Sequence, residues 1–357
     1  TMSTAVYLSA AQFDLETEAI FRRVPLVYGT SAMVAKPGDY LTSDDYGVPV
    51  LIIRGRDGIL RAFLNACVHR GARLVHDAAG CGLRALACPY HGWTYGDDGR
   101  CLNVTQAVGF PETAAADVGL VALPLEERFG LVWVRLTPGS PLDVTAFVGG
   151  LAAELADLDL GGQVPFRPCE RAFHGNWKSY IEGSLEAYHV PFAHGPAVNA
   201  VMTATSLIDA VGPHTRLILA RRQIDELAGI APHRWRIRPY TAIAYVIFPN
   251  TVITVQPDHV MWHRICPQRL DAATVTLTLL VPETAQGEAW AAVWTQCREA
   301  EAASLDEDLH VAETVFAGMH SGLLPDFVIG RQEAAIRHFH AAIATACAVE
   351  PRPGGAS

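Results

Sequence analysis

The chain is predicted to be an α+β protein: a small all-β domain over residues 25–142, then a larger part over 143–357 in which helices pack on an antiparallel sheet. Three observations predict this. Short apolar runs separated by glycine turns fill the first part. Pro138-Gly139-Ser140-Pro141 then interrupts the pattern. Beyond it, stretches of helical spacing bracket a block of long alternating strands, as expected when helices cover one face of an antiparallel sheet.

The elements follow in order. Residues 1–24 carry one short helix, Leu15 to Arg22, read as an N-terminal helical segment of the larger part. Leu26 to Tyr28, Ala32 to Val34, Tyr40 to Thr42 and Val48 to Arg54 read as strands. Asp57-Gly58 is a hairpin signal between Val50–Ile53 and Ile59–Phe63. A second turn is expected at Gly96-Asp97-Asp98-Gly99, and Phe129 to Leu136 closes the β domain. Past the boundary, Val144 to Leu158 and Trp177 to His189 have helical periodicity. Strands are expected at 216–223, 241–248, 252–256, 260–266 and 274–281. Helices over 288–317 and 331–345 follow, and the tail Pro351 to Ser357 is expected to fray.

Composition narrows the class. Half of the 357 residues are hydrophobic and 18% are charged, enough apolar material for a sizeable core. Net charge is −10 with no Lys/Arg cluster, which argues against a nucleic-acid partner. No apolar run reaches the ~18 residues of a membrane helix, and the first residues lack a signal-peptide pattern. A cytoplasmic protein with reduced thiols is the expectation, because eight cysteines in so long a chain do not look like a disulfide framework.

Two Cys-His pairs carry the first chemistry. They read Cys67-Val68-His69-Arg70-Gly71 and Cys88-Pro89-Tyr90-His91-Gly92-Trp93, with eighteen residues between His69 and Cys88. Thiolates and imidazoles suit zinc and iron–sulfur clusters alike. Ligand count leaves two accounts open: a structural Cys2His2 zinc site and a [2Fe–2S] centre in which two His replace two Cys on one iron.

A second constellation lies at Glu186-Ala187-Tyr188-His189-Val190-Pro191-Phe192-Ala193-His194. On a straight helix, five residues turn His189 and His194 about 140° apart. Pro191 disfavours continuing a helix, so His189 is expected on a last turn and His194 on the segment folding back. Glu186 is expected on the same helix face as His189, with Ile181, Leu185 and Tyr188 as the core stripe. Two imidazoles and a carboxylate form the facial triad of non-haem iron oxygenases; two unrelated histidines near a helix end are the plainer account. Downstream acids are Asp306, Glu307, Asp308 and Glu313. Asp308 interrupts an apolar stripe of Leu305, Val311, Ala312 and Val315, where an unpaired carboxylate is costly. Asp306 and Glu307 read as surface acids, and Glu182 and Glu313 as orienting or solvent-facing ones.

The wording of these motifs resembles the Rieske non-haem iron oxygenase alpha subunits, the family of ring-hydroxylating dioxygenases and Rieske-type demethylases. The resemblance is carried by the two Cys-x-His and Cys-x2-His loops, by Asn176-Trp177-Lys178, by Glu-x-Tyr-His-x4-His, and by Glu307-Asp308 followed by Glu313. It implies a small Rieske domain beside a catalytic domain of helix-grip type. Cys67 and Cys88 would hold one iron of a [2Fe–2S] cluster, and His69 and His91 the other. His189, His194 and Asp308 would hold a mononuclear Fe(II). Glu186 would be an inter-subunit bridge for electrons, from His91 of one chain to His189 of the next. Implied partners are a flavin/iron–sulfur NAD(P)H reductase or a ferredoxin, O2, a small organic substrate and two further copies in a homotrimer. The implied reaction is hydroxylation, dihydroxylation or oxidative demethylation of an aromatic compound or a tertiary or quaternary amine. Trp235, Tyr240, Tyr245 and Phe248 are candidates for a cation cage, with core packing as the competing account. Gly183 and Phe316 depart from the family's Asn and Gln, at positions expected near the pocket. The alternatives without oxygenase activity are a Rieske electron-transfer protein and a zinc-stabilised ligand-binding protein.

Overall fold

In a computed structural model of the chain, residues 1–112 and 114–348 are described; the tail 351–357 lies outside them. The chain divides into two compact units. The boundaries expected after residues 24 and 142 lie near chain crossings between the units, and the chain crosses again beyond 147. Arg22–Phe147 form the β-rich unit, and Glu154–Gly162 belong with it, whereas Thr1–Phe21, Val148–Ala153 and the residues from Gln163 onward form the other. Backbone approach explains the return. A Cβ on Gly130, whose φ is +72°, would lie 2.2 Å from the amide nitrogen of Gly161, so only glycine lets Leu160 and Gly161 close on that turn.

The β-rich unit contains a five-stranded sheet and two three-stranded sheets. Val50–Arg54 and Leu60–Leu64 pair antiparallel across the Asp57-Gly58 turn. Leu131–Val134 pairs with Leu26–Thr30 and is completely buried, matching its unbroken apolar run. Ser31–Val34 is a 3-10 turn rather than the expected strand. Its run of apolar residues is too short for periodicity to distinguish the two. A third sheet, Ala85–Ala87, Thr94–Gly96 and Cys101–Asn103, carries the Cys88 loop.

The larger unit is built on a seven-stranded antiparallel sheet. Its order is Gln163–Phe173, Ala272–Pro282, Val260–Arg269, Thr251–Val255, Thr241–Ile247, His214–Arg221 and Met202–Val211. The first and last of these are not among the expected strands. Pro165 and Pro168 break the alternation of Gln163–Phe173, an edge strand where missing donors are tolerated. Two helices, Glu288–His320 and Ala334–Ala348, bury one stripe each, the first through Leu305, Leu309, Ala312 and Phe316.

The N-terminal helix runs Ala10–Glu16 and continues as a π-turn to Phe21. Glu16 is buried, and both its oxygens accept from Lys178 Nζ, at 2.9 and 2.8 Å. Trp177 Nε1 donates to the same carboxylate at 3.0 Å, so the buried charge is paired and hydrogen-bonded. This pair anchors the helix Trp177–Gly183, whose N-cap Asn176 accepts from Lys178 N. Four differences from expectation bear on the second constellation and the pocket. That helix ends at Gly183, so Glu186 and His189 are not on it. Tyr188 is 55% exposed and leaves the core stripe of Ile181 and Leu185. Pro191 starts a one-turn helix, Val190–Ala193, at a first-turn position where its missing donor costs nothing. Phe316 packs with Tyr7 and Met319 and does not line the cavity described below.

Candidate metal centres and substrate cavity

In the β-rich unit the two Cys-His loops have the same backbone design. Cys67 N donates to Ala72 O and Cys88 N to Trp93 O; Gly71 N donates to Cys67 O and Gly92 N to Cys88 O. Both glycines sit at positive φ, +74° and +72°, which the tight return requires. Cys67 and Cys88 are buried, and Cys67 Sγ lies 3.1 Å from Tyr95 Oη. Burial works against the Cys88 thiolate, but donors from the His91 and Tyr90 backbone and from Cys67 outweigh it and lower the thiol's pKa. The imidazoles stand at the loop tips. The rings of His69 and His91 are 4.8 Å apart, and His69 stacks on Trp93 at 4.9 Å. Nδ1 of His69 is buried with no hydrogen-bond partner, an orphan that a metal would satisfy.

These four ligands do not converge on one point. Among the described residues, the only three or more His, Cys, Asp or Glu ligand atoms within 4.8 Å of one another belong to His189, His194 and Asp308. Two buried thiols and two imidazoles at neighbouring loop tips are the donor set of a [2Fe–2S] centre in which two His replace two Cys on one iron.

The larger unit assembles the second site. His189 and His194 flank the one-turn helix, with ring centroids 5.3 Å apart. Asp308 arrives from Glu288–His320, its Oδ1 3.3 Å from His194 Nε2 and 3.7 Å from His189 Nε2. The other nitrogen of each ring is already engaged. His189 Nδ1 meets Glu186 Oε1, while Glu186 Oε2 accepts from the Tyr188 and His189 backbone. His194 Nδ1 meets Glu307 Oε2 at 2.9 Å, and Gly195 N donates to Glu307 Oε1 at 3.1 Å. A carboxylate on Nδ1 fixes the tautomer that leaves Nε2 free to ligate. Glu307, expected on the surface, is thus an orienting residue. It faces a different neighbour from exposed Asp306, which pairs with half-buried Arg171.

The electrostatics agree with a cation site. Burial pushes the Asp308 carboxyl up despite the two histidines, so in isolation its charge is costly. Burial also opposes an imidazolium at His189, but Glu186 outweighs it and raises that pKa. A bound cation would relieve the first penalty.

These residues form one wall of a cavity of about 410 Å³. The sheet supplies its floor by strict alternation: Leu217, Leu219 and Arg221 on one strand, Ala242 and Ala244 on the next, Val252 and Thr254 on a third. The helix Glu288–His320 supplies Glu301, Ser304 and Asp308 at helical spacing. Tyr180 Oη is 2.8 Å from His263 Nδ1 at the margin, and burial holds His263 down to about 4, so it is neutral. Gly183 lines the cavity, but Trp235, Tyr240, Tyr245 and Phe248 do not. Tyr245 and Phe248 are core residues, and Trp235 is 43% exposed.

Comparison with known proteins gives the family. A family model described as the ring hydroxylating alpha subunit catalytic domain matches residues 157–348, and one described as the Rieske [2Fe-2S] domain matches 25–114. The chain belongs to the ring-hydroxylating alpha-subunit family. Its domains imply a Rieske [2Fe–2S] cluster and a mononuclear iron as cofactors. A carnitine monooxygenase oxygenase subunit of Escherichia coli is 30% identical over 201 residues, 54% of this chain and 52% of that one. A glycine betaine monooxygenase oxygenase subunit of Chromohalobacter salexigens is 32% identical over 212 residues, 59% of this chain and 47% of that one. The chain thus spans about half the length of the curated relatives it matches. Two solved structures share the fold. A quaternary ammonium Rieske monooxygenase superposes with TM-score 0.85 at 22% identity, covering 97% of this chain and 95% of that one. Naphthalene 1,2-dioxygenase gives TM-score 0.75 at 20% identity, covering 97% and 91%.

Proposed function

We propose that this ring-hydroxylating alpha-subunit relative is the terminal oxygenase component of a Rieske non-haem iron system. It uses O2 and electrons from a reductase to hydroxylate or oxidatively demethylate a small organic substrate. The observation that carries this reading is the convergence of His189 Nε2, His194 Nε2 and Asp308 Oδ1 on the wall of a largely apolar cavity. Three ligands on one face leave positions open beside a substrate, as non-haem Fe(II) oxygenases require. A structural site would instead be closed.

Cys67 and Cys88 would hold one iron of the cluster, His69 and His91 the other, and His189, His194 and Asp308 the mononuclear iron. The cluster supplies single electrons, and the mononuclear iron supplies the O2 chemistry. For monooxygenation the balance is substrate, O2, two electrons and two protons giving hydroxylated substrate and water. This chain's residues orient and shelter that chemistry. Glu186 and Glu307 keep Nδ1 of the two histidines protonated and Nε2 aimed at Asp308. The Leu217, Leu219 and Ala244 floor excludes water and holds an apolar substrate body. Glu186 is also our choice for the inter-subunit bridge: its contact with His189 is one half of the path, and His91, exposed at its loop tip, is suited to supply the other half from another copy. A homotrimer and a flavin/iron–sulfur NAD(P)H reductase or ferredoxin complete the system. No described helix is long and apolar enough to cross a membrane. All eight cysteines are unbridged, which fits a cytoplasmic setting.

Metal and sulfide analysis of protein purified without oxygen, with EPR of the reduced form, tests the reading. About three irons and two sulfides per chain are expected. Zinc without sulfide would overturn it, and two irons with none at the second site would leave an electron-transfer protein.

A further inference from the structure

We propose that the cavity selects substrates bearing a carboxylate, which the Arg221 guanidinium binds with Gln256 beside it. This rests on the oxygenase reading and names the substrate class of that same site. Arg221 continues the face of Leu217 and Leu219 and is the only lysine or arginine among the described residues lining the cavity. Its Nε is buried with no hydrogen-bond partner. Its Nη2 makes a long contact, 3.4 Å from Gln256 Oε1. A guanidinium has five donors in a planar fork that matches a carboxylate, so most of its donors remain available.

The position suits a headgroup. Glu301 and Asp308 are seven residues apart on one helix, about 10 Å along its axis, and Arg221 lies by Glu301, within reach of its charge. A substrate anchored at Arg221 therefore lays its body across the apolar middle of the cavity toward the iron ligands. Asp258 and Glu301 are the carboxylates whose charge reaches Arg221, and Glu301 is the one that lines the cavity. Burial pushes its carboxyl up to about 7, against the pull of Arg221 and with Asp258 and Asp308 adding to the rise. His259 Nε2, 3.9 Å away, does not neutralise it, because burial lowers the His259 pKa. Cys297, whose thiol burial pushes up, faces it as well. Near neutrality Glu301 is therefore partly protonated and competes for Arg221 only in part, while the Asp258 side chain, 61% exposed and beside His259 Nδ1, is screened by water.

A quaternary ammonium headgroup finds less here. Such cations are recognised by aromatic faces. Apart from histidines, Tyr180 is the only aromatic residue among the described lining residues, and its hydroxyl is tied to His263.

The test is calorimetric binding to metal-loaded, oxygen-free protein of three probes that share a ring: benzoate, benzamide and benzyltrimethylammonium. Benzoate is expected to bind at least about tenfold more tightly than either other probe. Arg221→Met should remove that advantage while leaving benzamide binding unchanged, which also shows that the cavity is folded; Arg221→Lys should lie between. Glu301→Gln should tighten benzoate binding, more at pH 8 than at pH 6, because it removes a carboxylate that is ionised at the higher pH. Benzoate binding indifferent to Arg221→Met would overturn the inference. So would a preference for benzyltrimethylammonium that Glu301→Gln abolishes. Iron content of the same samples separates the two readings. Full iron without carboxylate preference overturns only this inference, whereas carboxylate binding without second-site iron overturns only the oxygenase reading.

Discussion

Replacing Glu307 by alanine should cost mononuclear iron and nothing else. In the structure Glu307 accepts from His194 Nδ1 at 2.9 Å and from Gly195 N at 3.1 Å. The His194 side chain is 6% exposed, so water cannot readily take over. Without the acceptor, the ring is free to move its proton to Nε2, which then cannot ligate. A hydrogen bond to a charged group contributes about 1.5–3 kcal/mol, and loss of such an orienting partner weakens metal binding by roughly 10–100-fold. The Ser304 hydroxyl, 3.4 Å from the same Nδ1, can accept in part, so the lower half of that range is expected. Glu307→Gln keeps one acceptor where two are needed and should fall between. The assay is chelator competition for Fe(II) under anaerobic conditions, with the reduced-cluster EPR signal of the same sample as the internal control. Iron affinity unchanged in Glu307→Ala would refute the argument that this carboxylate sets the His194 tautomer.

Other expectations can be checked alongside. Asp308→Ala should lose second-site iron and turnover but keep the cluster spectrum; retained turnover would show that another group completes the triad. Glu186→Gln should leave both metals loaded yet slow substrate-dependent reoxidation of the cluster in single-turnover mixing, and a normal rate would rule out the bridge. Lys178→Met leaves Glu16 buried with the Trp177 and Gln12 donors but no cation; it should destabilise the fold by about 3–5 kcal/mol in denaturant titrations, and adding Glu16→Leu should restore most of the loss. Tyr95→Phe removes the hydroxyl beside Cys67 Sγ. Because donors to cluster sulfur stabilise the reduced form, the reduction potential should fall in a potentiometric titration, and no change would remove Tyr95 from the cluster's environment.

Sequence alone determined whatever lies within a short segment. Both Cys-His loops are contiguous, their glycines sit where the backbone must turn back, and their wording pointed to the family before any geometry did. The alternating strands from His214 to Pro282 were legible because burial on one face writes a period of two into the residues. Gln163–Phe173 was not, because its prolines erase that period.

Tertiary structure decided what faces what. Adjacent acids on one helix face different neighbours: Asp306 meets Arg171, Glu307 meets His194, and Asp308 meets both histidines. The expected stripe did not decide this, since Leu305 and Ala312 are buried but Val311 and Val315 are exposed. Helical spacing put Glu186 beside His189, but the contact is made by an irregular turn beyond the end of the helix. Arg221 lies inside the expected strand 216–223 with no local signal of its own, and only the sheet places it at the cavity. Periodicity records which side of an element is buried; it does not record the partner, because the hydrophobic term that sets the pattern is non-directional. Metal and substrate sites depend on directed contacts between segments more than one hundred residues apart, as between His194 and Glu307, and those exist only once the chain has folded.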